Sequence, residues 1–123
     1  MQKESLLEQN SVEQLTDSAV KAIKEKKGQE IASLDLRGIE EAEAEFMIIS
    51  HASSDVHAKA IAEYVEETLA REFDEKPFQI EGIDNKEWIL LDYINVMVHI
   101  FLEEKRRYYS LEELWGDAEI KYH

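Results

Sequence analysis

The chain has 123 residues, no cysteine and a formal net charge of −14, from 28 acidic and 14 basic residues. This length suits one domain with a sizeable core, and the missing cysteines exclude a disulfide framework and a thiolate metal site. The negative charge disfavours broad contact with nucleic-acid phosphates or an anionic membrane and favours a basic protein as partner.

The first predicted helix begins at Ser11. Residues 1–10 are polar, and we expect them to form a frayed segment before the domain. Ser11 and Gln14 form a capping-box pattern, and apolar residues then recur at helical spacing until Gly28.

The opening residues lack the apolar core of a secretory signal, and no apolar run is long enough to cross a bilayer, so we expect a cytoplasmic protein.

Two strands and the longest helix follow. Alternating apolar residues over 30–37 predict the first strand, and the continuously apolar run 46–50 predicts a second strand deep in the sheet. Ser54 and its neighbours supply N-cap candidates for a helix over about 54–73, whose small Ala58 and Ala62 favour close packing on the sheet.

Residues 87–101 form the centre of the predicted sheet. Two apolar runs flank residues 92–95, whose Asp and Asn tolerate turn geometry, so the segment predicts a hairpin buried on both faces. Residues 78–82 alternate in polarity and predict an edge strand that precedes this hairpin.

The end of the chain adds one short helix. Ser110 and Glu113 repeat the capping-box pattern ahead of a helix that ends near Gly116, and residues 119–123 are expected to be a C-terminal tail. The order of elements predicts an α/β fold of the α+β layer type, with a mixed five-stranded sheet flanked by two long helices. The expected single domain spans residues 11–118.

Catalytic and metal sites have weak signals. Asp35 and Asp92 each end a strand and could together hold Mg²⁺, but such aspartates are more often turn residues. The four histidines lack the spacing of a zinc site, and nothing assembles a base and an oxyanion site around Ser53. We therefore expect no catalytic residue, no metal and no cofactor.

A cluster of aromatic residues is the stronger signal. If the hairpin pairs about its turn, Trp88 and His99 lie at the same open end, with Phe101 close by and Arg106 and Tyr109 following. Exposed Trp, Tyr and Arg are typical of binding hot spots. The alternative interpretation is that these aromatic residues close the core, and the sequence leaves both open.

Three motifs carry a family resemblance: EWILLDY at residues 87–93, NVMVHIF at 95–101 and LEELWGDA at 111–118. With them the chain resembles the ribosomal silencing factor family, also called the Iojap family. The resemblance reaches back to the end of the first helix. Two positions depart from the family pattern: residues 52–56 replace a Gly-Thr-Ser-Arg-like turn, and Asn95 stands where aspartate is more usual.

The resemblance implies a nucleotidyltransferase-like topology without transferase activity, commonly as a homodimer. Its implied role is to repress translation under nutrient limitation by binding the large ribosomal subunit through ribosomal protein fourteen, which sterically blocks the small subunit. Neither a membrane nor sequence-specific nucleic acid is an expected partner. The implied partner surface comprises Trp88, Asp92, His99, Phe101, Arg106 and Tyr109.

Two other functions remain open at this point. An assembly factor for the large subunit would also bind ribosomal particles, and the sequence does not separate it from a silencing factor. A nucleotidyltransferase that kept its chemistry would need Mg²⁺ and nucleotide at Asp35 and Asp92, which is the less favoured hypothesis.

Overall fold

The computed structural model describes the backbone of residues 2–123 and the side chains of residues 12–123. The helices are α1 (Gln2–Glu25), α2 (Asp55–Phe73), α3 (Glu103–Tyr109) and α4 (Leu111–Leu114). The strands are β1 (Gln29–Asp35), β2 (Phe46–Ala52), β3 (Gln79–Glu81), β4 (Trp88–Asp92), β5 (Val96–Leu102) and β6 (Glu119–Tyr122).

The strands form one mixed sheet in the order β3-β4-β5-β2-β1-β6. The central neighbours β2 and β5 are parallel, and every other neighbouring pair is antiparallel. The predicted mixed sheet with two long helices is confirmed, as is the hairpin of β4 and β5. The sheet has six strands instead of five, because residues 119–122 of the predicted tail pair with the outer edge of β1.

Both long helices pack on one face of the sheet. The core between them joins apolar residues of α1 and α2 to alternate residues of four strands: Ile31, Ile48, Ala52, Ile89, Leu91, Val96, Val98 and Ile100. Ala58 and Ala62 are fully buried, which lets α2 lie close to the sheet as predicted. We call this side of the sheet the helix face.

The opposite side of the sheet is only partly covered. Near β1 and β2 it packs against the loop that follows β1 and against residues of the C-terminal region: Ile39, Ala42, Leu111, Trp115 and Ala118. Near β4 and the start of β5 the predicted burial of the hairpin on both faces is wrong, because four side chains stay half-exposed: Trp88, Leu90, Asp92 and Met97. These four residues are called the open patch below.

The ends of several elements differ from the prediction. Helix α1 begins at Gln2, before Ser11, while Met1 of the predicted frayed segment and the Ser11 side chain lie outside the described residues. Helix α3 was not predicted, because its charged and aromatic residues lack an apolar stripe. Ser110 is not a side-chain cap, since its left-handed backbone (φ 49°) lies between α3 and α4.

Among the described residues, no helix is both long and apolar enough to cross a membrane.

The N-cap of α2 gives a first test of the fold. Ser54 Oγ accepts a hydrogen bond from the His57 backbone N–H at 3.1 Å. Ser54→Ala removes this bond, so we expect a loss of about 1 kcal/mol in the free energy of unfolding, measured by urea titration. Ser53→Ala, at the neighbouring exposed serine, is the control and should change stability little. Equal losses in the two variants would contradict the capping role.

Candidate functional site

Trp88 is the centre of a compact aromatic cluster on the partly covered face. Its indole Nε1–H donates a hydrogen bond to His99 Nδ1 at 2.9 Å. Its ring stacks on Phe101, with centroids 4.9 Å apart, and contacts Tyr109 at 4.5 Å. We call Trp88, His99, Phe101 and Tyr109 the aromatic cluster. The structure thus brings together four of the six residues of the implied partner surface.

The register of the β4–β5 hairpin places these rings. Trp88 pairs with Phe101 and Leu90 pairs with His99, so alternate residues of both strands point to the same face. Gly82, which follows β3, lies very close to the backbone of Trp88. It adopts φ +80°, and a Cβ atom there would overlap the carbonyl oxygen of Trp88, so only glycine fits without a shift.

The aromatic cluster runs from the core to the surface. Phe101 and His99 are buried, at 1% and 5% exposure, Trp88 is half-buried, and Tyr109 is 44% exposed. Tyr108 continues the series at 78% exposure and packs edge-on against Tyr109. Both interpretations therefore hold for different members: Phe101 and His99 belong to the core, while Trp88 and Tyr109 present surface. Phe101 was expected in the partner surface, but its side chain supports that surface from below.

His99 is held neutral. Because Nδ1 accepts from Trp88, the proton of the neutral ring resides on Nε2. Burial lowers the pKa of His99 to about 4. At neutral pH the side chain therefore carries no charge and offers one N–H donor.

The buried His99 predicts acid sensitivity. In the unfolded chain histidine binds a proton near pH 6.5, but in the folded chain its pKa is about 4, so acidification favours unfolding. We expect His99 to remove roughly 1.4 kcal/mol of stability per pH unit as the pH falls from about 6 to about 4, and none below that. His99→Gln should make the pH dependence of unfolding shallower by about one proton. His51 and His123 remain in both proteins, so the difference between the two slopes reports on His99 alone. An unchanged slope in this variant would contradict a low pKa for His99.

Arg106 lies in the interior, which corrects its expected place in the partner surface. Its side chain is 2% exposed and forms an ion pair with Glu112 at 2.9 Å. It also donates to His51 Nδ1 at 2.9 Å and to the Gln29 carbonyl at 3.3 Å. A long cationic side chain is normally exposed, but here it ties α3 to β1, to β2 and to the segment after α3. Arg106 therefore holds the element that carries Tyr109.

The two strand-ending aspartates do not form a metal pair. Asp35 belongs to the helix face, because it alternates with Leu34, which is buried on the other side, whereas Asp92 lies in the open patch. Asp35 binds Arg37, whose guanidinium lowers the pKa of this carboxyl. Asp92 Oδ1 accepts from the Ile94 backbone N–H at 2.8 Å and so acts as a turn residue. The Mg²⁺ hypothesis at this pair is wrong.

One acidic group in the described part of the chain has ligand atoms close enough for a metal: Glu30, His51 and Glu103. The Arg107 guanidinium already neutralises this group, because it donates hydrogen bonds to the carboxylates of Glu30 and Glu103, at 2.6 and 3.4 Å. His51 also fits a metal poorly. Arg106 donates to Nδ1, so Nε2 carries the proton instead of a free lone pair. The group is best described as an ion-pair network.

The sequence did not identify the apolar side chains that surround Trp88 on this face. Leu90 and Met97 are half-exposed beside Trp88, and the exposed side chains of Tyr108 and Leu114 lie on α3 and α4. The alternation along the hairpin was the available signal, since residues 88, 90, 97 and 99 share one face in any such pairing. Exposure was not predictable from it, because exposure depends on what covers that face.

Known proteins resemble this chain over nearly its whole length. Residues 9–122 match the family model described as "Ribosomal silencing factor during starvation". A ribosomal silencing factor from Halalkalibacterium halodurans is 36% identical over 108 residues, which cover 88% of this chain and 91% of that protein. A crystal structure of a protein from Chromobacterium violaceum matches with a TM-score of 0.80 and 31% identity, covering 85% of this chain and 86% of the other.

A more distant relative has a different name. The mouse protein "Mitochondrial assembly of ribosomal large subunit protein 1" is 29% identical over 73 residues, which cover 58% of this chain and 32% of that protein. The family model extends from the first helix to the last strand, and the bacterial relative covers 88% of this chain. The chain therefore belongs to the ribosomal silencing factor family.

Proposed function

We propose that this protein binds the large ribosomal subunit through ribosomal protein fourteen and sterically blocks association with the small subunit. It thereby represses translation when nutrients are limiting. The observation that carries the proposal is the open patch beside the aromatic cluster in a member of the silencing factor family. This surface is apolar at its centre and leaves Trp88 and Tyr109 partly exposed.

The composition of this surface suits protein recognition. Binding hot spots are enriched in Trp and Tyr at the centre of a patch with polar groups at its edge. Here Trp88 lies between Leu90 and Tyr109, and the Asp92 carboxylate is at the far end of the same strand. A net charge of −14 adds attraction to a basic partner, and proteins that contact ribosomal RNA are characteristically basic.

The proposed mechanism requires only occupancy. No bond is made or broken, since a protein docked on the joining face excludes the small subunit by volume. The placement of the candidate polar residues agrees with this proposal: Asp35 and Asp92 point to opposite faces, and Ser54 caps α2. Of the six residues implied as partner-binding, we propose that Trp88, Asp92 and Tyr109 make contact, while His99, Phe101 and Arg106 position them.

The binding step is tested by sedimentation through sucrose gradients. Tagged protein is mixed with purified small subunits, large subunits or assembled ribosomes, and fractions are probed for the tag. We expect comigration with free large subunits and none with small subunits. Protein that stays at the top of every gradient would contradict the proposal. Analytical ultracentrifugation of the protein alone tests separately whether it forms the homodimer that the family resemblance implies.

Assembly of the large subunit is a second candidate function. It is favoured by the mouse relative, whose name refers to assembly of the mitochondrial large subunit. The two functions predict different particles in a pull-down from growing cells. A silencing factor is recovered with mature large subunits, whereas an assembly factor is enriched on particles that lack late-binding ribosomal proteins.

A further inference from the structure

A cavity of about 360 Å³ opens on the helix face, at the end of the sheet where β4 turns into β5. Its walls come from α1, from the end of α2 with the segment just after it, and from the turn between β4 and β5. It holds the volume of roughly a dozen water molecules and lies at the lower end of the range for small-molecule sites. The described residues that line it include Val12, Leu15, Phe73, Glu75, Tyr93 and Ile94.

Two aromatic residues and one carboxylate distinguish this cavity from an ordinary apolar groove. Phe73 is half-buried at the last position of α2, Tyr93 is buried, and Glu75 is exposed. The negative face of an aromatic ring attracts a cation, and a carboxylate adds a full opposite charge. Aromatic cages are a recurring way for proteins to hold organic ammonium groups. The lining therefore favours a ligand that joins an apolar body to a positive charge.

The charges around Tyr93 are negative. Burial, and then the carboxylates of Glu66 and Glu75, raise the pKa of its hydroxyl, so the ring is neutral at pH 7 and both carboxylates lie within electrostatic reach of it. Neither glutamate takes part in an ion pair among the described residues. The described lining also contains no lysine, arginine or histidine. The cavity would thus repel an anionic ligand, and a cation would neutralise Glu75.

The turn between β4 and β5 gives the cavity an apolar wall. The Asn95 backbone N–H donates to the Tyr93 carbonyl oxygen at 2.8 Å, which makes a three-residue turn centred on Ile94. Ile94 adopts φ 72°, a strained conformation for a β-branched residue, and its side chain is 56% exposed. Backbone strain of this kind is concentrated at functional sites, where the surrounding structure holds it in place. Ile94 therefore offers a fixed apolar surface to the body of a ligand.

We propose that this cavity binds a small organic ammonium compound. Its cationic group lies beside the Glu75 carboxylate and the rings of Phe73 and Tyr93, while its apolar body packs on Val12 and Leu15 of α1. A nucleotide does not suit the site, because no cationic side chain in the described lining would hold its phosphates. A neutral compound would cover the carboxylate without pairing it and so bind more weakly.

The proposed ligand site is independent of the proposed function. The cavity lies on the helix face, between the two long helices and the hairpin turn, whereas the open patch lies on the other face of the sheet. A ligand in the cavity therefore does not compete with a protein docked on the open patch for the same side chains. Binding can be measured on the free protein, without ribosomal subunits.

Three probes that share a phenylethyl body but differ in charge test the ligand class. Phenethylammonium is the cation, phenethyl alcohol is neutral and hydrocinnamate is the anion. Each is titrated into the nitrogen-15-labelled free protein, and the backbone amide shifts are followed by NMR. We expect phenethylammonium to give saturable shifts around the cavity, at Glu75, Ile94 and Asn95. The alcohol should bind at least about fivefold more weakly, and the anion should not bind.

A matched pair of variants tests the carboxylate. Glu75→Gln keeps the size of the side chain and removes its charge, whereas Glu67→Gln removes the same charge from an exposed position of α2 outside the described lining. We expect about tenfold weaker binding of phenethylammonium to Glu75→Gln and a change within about twofold for Glu67→Gln. The alcohol should bind both variants alike. Both glutamates are exposed, so both variants should fold, and thermal melts check this.

A further variant tests the aromatic wall. Phe73→Leu replaces a ring by an apolar side chain, so it should weaken binding of phenethylammonium by about fivefold and leave binding of the alcohol nearly unchanged. Equal losses for the two probes would show that Phe73 contributes only apolar contact and would contradict its proposed role. If thermal melts show that Phe73→Leu does not fold, Phe73→Met replaces it.

The outcomes of the titrations decide the proposal. Shifts that do not saturate, or that spread over the whole surface, overturn it, because a net charge of −14 attracts any cation weakly. Equal binding of the three probes overturns it, because an apolar groove then explains the data. Equal losses in Glu75→Gln and Glu67→Gln also overturn it, since total charge then holds the amine. Failure to bind large ribosomal subunits would overturn the proposed function alone and leave this site standing.

Discussion

Arg106→Met is expected to lower the free energy of unfolding by about 3 kcal/mol or more. Methionine retains an apolar chain of similar reach but none of the donors. Glu112, 20% exposed, then loses its cation, and the buried His51 Nδ1 and the Gln29 carbonyl lose the N–H groups that they accept. Removal of one partner of a buried ion pair is costly, because the remaining groups stay desolvated.

The neighbouring arginine supplies the control for this result. Arg107 makes ion pairs with Glu30 and Glu103, but its side chain is 52% exposed, so Arg107→Met should cost less than about 1 kcal/mol. Urea titration of both variants gives the two free energies. Losses of equal size would show that burial of Arg106 does not set its importance.

Trp88→Ala is expected to weaken binding to large ribosomal subunits by at least about tenfold, because truncation of a central interface aromatic costs about 2 kcal/mol or more. The variant removes the ring that contacts both Tyr109 and Phe101 and also frees His99 Nδ1. Its circular dichroism spectrum should match that of the wild type, since the indole is only half-buried. Titration of labelled protein with purified subunits measures the effect.

Tyr122→Ala is the matched control for Trp88. Tyr122 is also an exposed aromatic, at 62%, but it belongs to β6, at the opposite edge of the sheet from β3 and β4. Its truncation should leave binding unchanged. If Trp88→Ala binds like the wild type, the proposed surface is wrong. If it unfolds, Trp88 is a core residue and the surface must lie elsewhere.

Local signals in the sequence predicted the elements that form the centre of the fold. The β4–β5 hairpin follows from two apolar runs around a turn, and the Ser54 cap follows from its place before an apolar periodicity. Strand β6 escaped prediction, because its four residues become a strand only by pairing with β1. Helix α3 escaped because the buried Arg106 and the packing of Tyr109 on Trp88, not an apolar stripe, attach it to the sheet.

The sequence predicted which residues of the hairpin come together in the candidate site, but not how far each side chain is buried. The pairing of the hairpin brings Trp88, His99 and Phe101 together, and the structure confirms this with a hydrogen bond and stacked rings. Which of them reaches solvent depends on how α3 and α4 cover the sheet, and that covering depends on Arg106. A charged residue among other charged residues gives no sequence signal that it will be buried.

An assay of subunit joining tests whether the bound protein blocks association of the two subunits. Purified small and large subunits are brought to joining magnesium concentration and assembled ribosomes are followed by light scattering, with the protein added before or after joining. Our expectation is that wild-type protein added first lowers the yield of assembled ribosomes in proportion to its occupancy, and that Trp88→Ala does so only at higher concentration. Full joining with wild-type protein bound to every large subunit would contradict it.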